Sequence, residues 1–166
     1  MSPTLSRTRR RAQRPPPGLP QVCPRGFDIT WVRTSVLAQY CNPFKGCWME
    51  LSKPLAYFEV EEVLADGLEQ LHPPFASAYS LSRLPELQVR QMHAEKVAWF
   101  VRHGFQHPLQ VDVGVPSLGC HVSYIVDDGN HRLAAAIYRQ HALNEGPWLP
   151  VALCGDTNHA KQLGLL

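Results

Sequence analysis

The clearest hydrophobic pattern along the chain lies at residues 85–104, "PELQVRQMHAEKVAWFVRHG". Leu87, Ala94, Val97, Ala98 and Val101 recur at helical spacing, which predicts an amphipathic helix. Pro85 suits its first turn, Arg102 and His103 its last turn, and Gly104 its C-cap. On this pattern His93 and Glu95 fall off the apolar stripe and are expected to face solvent. The pattern then changes to a period of two. Leu109, Val111, Val113 and Val115 in "HPLQVDVGV" (107–115) share one face of a predicted strand, and Asp112 alternates against them, pointing away from the core toward a possible ligand. "PSLGC" turns the chain, and "HVSYIV" (121–126) predicts a second strand ended by "DDG". "NHRLAAAIYRQHA" (130–142) predicts a helix with Leu133, Ala136 and Ile137 on one side, and "WLPVAL" (148–153) a third strand.

Upstream the pattern is weaker. "LAYFEVEEVL" (55–64) reads as a strand ending near Glu59 followed by a short helix. "HPPFASAYSLSRLP" (72–85) reads as a loop. Residues 27–53, with Phe27, Trp31, Phe44 and Trp48 broken by "CNPFKG", read as an irregular packed segment. The expected fold class is α/β (α+β): a small mixed β-sheet with helices packed on it. No apolar run approaches the ~18 residues of a membrane span, so no membrane insertion is expected.

Charge divides the chain in two. Six of the 16 basic residues (Arg7, Arg9, Arg10, Arg11, Arg14 and Arg25) lie in residues 1–25, which hold no acid; ten bases then face 14 acids in the remainder. Residues 1–26 therefore read as a disordered basic Arg/Pro-rich arm, and 27–166 as a single domain. Such an arm suits DNA, because each arginine that neutralises a phosphate releases counterions; a solvated leader is the alternative. No apolar segment follows the arginines, and Pro15, Pro16 and Pro17 break an amphipathic presequence. With five cysteines, an odd count without a secretory signal, a reducing cytoplasm is expected. Cys41 and Cys47 are spaced unlike a zinc or redox pair and are expected to be structural thiols.

The candidate chemistry sits where the second strand hands over to the helix, at "IVDDGNHRLAAAIYR" (125–139). A helix start offers unpaired N–H groups and a dipole that favours an anion. Gly129 lets the backbone turn and approach a ligand. Arg132 adds a planar fork for phosphate oxygens, and His131 a proton donor or acceptor near neutral pH. Asp127 and Asp128 suit either a helix cap or a magnesium ion. Spacing alone divides evenly between a well-capped helix and a phosphate cradle.

"YIVDDGNHRLAAAIYR", preceded by "HPLQVDV" and followed by "WLPVAL", resembles the core of the ParB/sulfiredoxin fold superfamily over about residues 55–155. The resemblance implies a nucleoside triphosphate, ATP or CTP with Mg2+, held by Asp128, Gly129, Asn130, His131 and Arg132. It implies metal contact from Asp127 and Asp128, and NTPase and/or nuclease activity. His131 would contact phosphate or move a proton. A glutamate of 59–62, with Glu61 and Glu62 the first choices, would position the attacking water. Asn130 stands where sulfiredoxins carry their cysteine nucleophile, so sulfiredoxin chemistry is not expected. The residues after the third strand leave no room for the DNA-reading domain of partition proteins. Two further roles follow from the resemblance. One is a plasmid-borne fertility-inhibition factor that blocks a conjugation or replication protein without turnover. The other is a nuclease that holds DNA through the basic arm.

Overall fold

The computed structural model describes residues 29–166, apart from 47, 49, 74–80, 82, 105–106 and 123–124. The basic arm, most of the loop expected at 72–85 and part of the strand expected at 121–126 lie outside the described residues. The elements in chain order are β1 (Ile29–Arg33), α1 (Thr34–Tyr40), α2 (Tyr57–Asp66), α3 (Glu86–His103), β2 (Leu109–Asp112), β3 (Val126–Asp128), α4 (Asn130–Tyr138), β4 (Trp148–Cys154) and α5 (Thr157–Gln162). The four strands form one mixed sheet in the order β1-β4-β2-β3. β2 and β4 run parallel, with Leu109 opposite Val151, and β1 and β3 add antiparallel edges. The α/β class expected from the pattern is the observed one. No helix among the described residues is long and apolar enough to cross a membrane.

α3 forms where the periodicity places it, except that Leu87, expected on its apolar face, is 78% exposed. Gly104 closes it at φ 70°, its N–H bonded to the Phe100 carbonyl. Three local expectations are corrected. Residues 55–59 are not a strand: α2 begins at Tyr57, because the Glu59 carboxylate accepts from the Ala56 N–H at 2.7 Å and Arg90 grips both Glu59 oxygens at 2.7 and 2.9 Å. Residues 29–40 are not irregular: β1 pairs along its length with β4, more than a hundred residues later, and α1 follows directly. His93 and Glu95 do not face solvent: α3 is buried at every position from 93 to 98.

That burial follows from the layering. Leu133, Ala136 and Ile137 of α4 pack on the sheet residues Leu109, Val111, Val126 and Val151. The other side of α4, Ala134, Ala135 and Tyr138, packs on Ala94, Val97, Ala98 and Val101 of α3 and on Val60 and Val63 of α2. α4 is thus enclosed between the sheet and a helical layer. Its run of three alanines lets backbones approach on both sides, since larger side chains would have no room.

Candidate functional site at the start of helix α4

β3 and α4 are joined by a single residue, Gly129, at φ 112° and ψ 19°. Its carbonyl accepts the Leu133 N–H at 2.8 Å, the first turn of α4. A Cβ here would lie 2.9 Å from Leu109 Cγ and 3.2 Å from Arg132 Nη2. Glycine is therefore required twice, for the left-handed backbone and for space. Arg132 lies beneath this turn. Its Nη1 donates to the carbonyls of His107 and Pro108 at 2.8 and 2.7 Å, and its Nη2 to Asp128 Oδ2 at 2.8 Å. The guanidinium expected to clamp phosphate thus staples the loop before β2 to the end of β3. Asn130 turns its Oδ1 inward, where it is buried and meets no donor among the described residues.

His131 leads into the helical layer. Its Nε2 lies 2.8 Å from His93 Nδ1, and the two rings stack 5.0 Å apart. Trp48 stacks on His93 at 4.7 Å and leans on His131 at 5.4 Å. Burial pushes His93 down to about 4, with the nearby positive groups Lys96, Arg90 and His72 adding to the effect. Burial likewise holds His131 well below its ordinary value, followed by His93, Lys96, Arg132 and His72. Both imidazoles are neutral at pH 7, so the pair shares one proton between Nδ1 and Nε2 and acts as a hydrogen-bonding unit, not as a cation.

Lys96 reaches the same region from α3. It is 9% exposed, and burial lowers its pKa against an opposing pull from Asp128. Its Nζ donates to the Pro73 carbonyl at 3.3 Å. One residue earlier, Glu95 accepts from Gln91 Nε2 at 2.8 Å and lies 2.6 Å from His72 Nε2. Residues 70–73 therefore form a strap along α3, tied by the Gln70 N–H to the Glu95 carbonyl at 3.3 Å, by the His72–Glu95 contact and by Lys96.

The structure thus brings Asp128, Gly129, Asn130, His131 and Arg132 together at one helix start. The glutamates are elsewhere. Glu61 and Glu62 are exposed on α2. Burial, and after it the charge of Glu61, raise the pKa of Tyr138, which stands at the far end of α4, roughly 10 Å along the axis from His131. Glu59 is consumed by Arg90. Asp112 caps its own turn, accepting the Gly114 N–H at 2.7 Å. Cys41 is buried, donates to Leu37 at 3.3 Å and has its thiol pushed up to about 12 by burial.

Consecutive strand residues leave opposite faces, which separates Asp127 from Asp128; Asp128 is already engaged by Arg132. Among the described residues no group of three or more His, Cys, Asp or Glu is placed to hold a metal. The donors present do not fit a protein-built cage; Asp128 is the carboxylate that a magnesium ion arriving with its own ligands would meet at the helix start.

Trp48, His72, His93, Glu95 and Lys96 are the site residues that the sequence pattern did not single out. For His93 a signal existed: 93, 97 and 101 are spaced i, i+4, i+8, in line with Val97 and Val101. His72 and Trp48 come from segments without periodicity. Comparison with known proteins yields no matching family model, curated protein or solved structure.

Proposed function

We propose that the chain binds a nucleoside triphosphate at the start of α4, in the manner of the ParB/sulfiredoxin superfamily that its "DDGNHR" segment resembles, and hydrolyses it. The observation that carries this reading is a helix N-terminus opened by Gly129 at which the charges of Lys96 from α3 and Arg132 from α4 both act on His131. Two basic side chains from separate elements add to the partial positive charge of the helix dipole, and Asp128 is the carboxylate that acts on Lys96.

The roles differ from those that spacing suggests. Arg132 orients the Gly129 turn, and Lys96 contributes a second positive charge. A magnesium ion accompanying the phosphates would neutralise their charge beside Asp128. Isothermal titration with ATP and CTP, each with magnesium, tests the proposal. A Lys96→Met variant should weaken binding by about 10- to 100-fold, the ~1.5–3 kcal/mol of a charged hydrogen bond. Absence of heat with both nucleotides refutes it.

A second reading is binding without turnover, as in an inhibitor of a conjugation or replication component. It is favoured by the position of Glu61 and Glu62, exposed and away from the α4 start. In that case nucleotide binds and no phosphate is released. Contact of the arginine-rich residues 1–25 with DNA belongs to either reading.

A further inference from the structure

The sheet has one packed face. Val32, Leu109, Val111, Leu149 and Val151 point to the side where α1, α4 and α5 bury Leu37, Leu133 and Ala160. Alternate strand residues point to the other side. Among the described residues every helix sends its buried apolar side chains to the first side or to the helical layer beyond it, and Ala152, although only 5% exposed, joins neither core. A sheet with a parallel pair is ordinarily covered on both faces, so this face calls for a partner. The register sets out its β1–β4 half in three rows: Arg33 opposite Trp148, Trp31 opposite Pro150, and Ile29 opposite Ala152. Both tryptophans are partly exposed and Arg33 is exposed. The Arg33 guanidinium stands 5.1 Å over the Trp148 ring and makes no ion pair or hydrogen bond among the described residues. We propose that this open sheet face binds single-stranded DNA, with Trp31 and Trp148 stacking on unpaired bases and Arg33 contacting the strand.

Spacing and charge select the ligand. Trp31 and Trp148 are diagonal neighbours on adjacent strands, about 7–8 Å apart. That is about twice the ~3.4 Å between stacked bases, so the rings suit an extended strand whose bases are splayed. A duplex hides its base faces and does not fit. Stacking on tryptophan tolerates any base, so little sequence preference is expected. Arg33 offers a planar cation to a phosphate, or a plane on which a further base stacks. Charge on the chain complements a phosphate backbone from the same edge: six arginines and no acid lie in residues 1–25, and Arg25 is four residues before Ile29, the start of the edge strand β1. On β2, two strands away, Asp112 repels phosphate and confines the strand to the β1–β4 half. The rows beside the rings present only carbon from Ile29, Pro150 and Ala152, with nothing to bond a 2′-hydroxyl, which selects DNA over RNA. This surface shares no residue with the α4 start, so it and the nucleotide reading stand or fall separately.

Titration of the full chain with a labelled short oligo(dT), read by anisotropy and by tryptophan emission at several salt concentrations, tests the proposal. Wild type should bind, with emission quenched at saturation. Trp31→Leu and Trp148→Leu should each weaken binding by about 5- to 150-fold, the range of one base stacked on an aromatic ring. Trp31→Phe keeps a ring and should stay within about three-fold of wild type. Arg33→Gln, at an exposed position, should reduce the salt slope by about 0.7, the share of one phosphate on a single strand. Wild-type affinity in both leucine variants overturns the proposal and leaves the DNA to the arginines of residues 1–25. Equal or tighter binding of duplex DNA or of oligo(rU) overturns it as well. Absence of binding by wild type overturns it, and a wild-type dimer that Trp31→Leu dissociates then gives the face to a second copy of the chain. Should a leucine variant fail to fold, by circular dichroism, wild-type emission and Arg33→Gln decide: unquenched tryptophan at saturation, or an unchanged salt slope, overturns the assignment.

Discussion

Acidification should destabilise this fold well before its carboxylates titrate, through the His93–His131 pair. Burial depresses His93 from an ordinary 6.5 to about 4 and moves His131 in the same direction. The native state therefore refuses protons that the unfolded chain accepts. Above pH 6.5 both states are neutral at these positions and stability is complete. As pH falls from 6.5 toward 4, the unfolded state gains protons first and stability is lost; below the native pKa the loss levels off. For His93 alone the difference amounts to about 2 kcal/mol at pH 5, and His131 adds a loss of the same sign. The groups facing the pair reinforce it: Lys96, Arg90, His72 and Arg132 oppose a new positive charge, and Glu50, 4.0 Å from His93 Nε2, is the carboxylate that would favour one. Urea denaturation at pH 7.5, 6 and 5 measures the effect. His93→Gln retains a hydrogen-bonding partner for His131 and removes one titration, so it should lose about half of the pH dependence. Equal stability at pH 7.5 and 5, or a wild-type slope in His93→Gln, would refute a buried neutral pair.

Two packing predictions follow from the layering. Gly129→Ala combines left-handed strain with contacts of 2.9 and 3.2 Å and should cost about 2–5 kcal/mol in denaturant unfolding. Gly119→Ala, with φ 76° and open space around its Cβ, should cost only the strain, about 1 kcal/mol, so the difference between the two variants isolates the crowding. Ala135→Leu, at a fully buried position between α4 and the helical layer, should cost about 1–3 kcal/mol by overpacking. Ala65→Leu on exposed α2 should change stability by less than ~0.5 kcal/mol. Similar melting temperatures for Ala135→Leu and Ala65→Leu would contradict an enclosed α4.

By itself the sequence determined the elements whose signal is local. The helical spacing of Val97, Ala98 and Val101, the glycine at 104 and the alternation from Leu109 to Val111 are local signals, and each appears where its period places it; the second strand starts later than its apolar run predicts, at Val126, and takes in Asp127 and Asp128 before Gly129 opens the helix. What only the tertiary structure decided depends on partners distant in sequence. β1 exists because β4 offers it an edge. α2 is a helix, although Tyr57, Phe58 and Val60 favour a strand, because Glu59 closes its first turn and is held there by Arg90. The three alanines of α4 read as one apolar side of an amphipathic helix; enclosure between sheet and helices is what buries the other side. The same enclosure carries His131 inward against His93 and Trp48, turns Arg132 from the ligand to the loop before β2, and leaves Glu61 and Glu62 in solvent. Periodicity reports which side of a helix is apolar, but only the packed layers determine which polar groups share a cavity, because that depends on how separate elements cross.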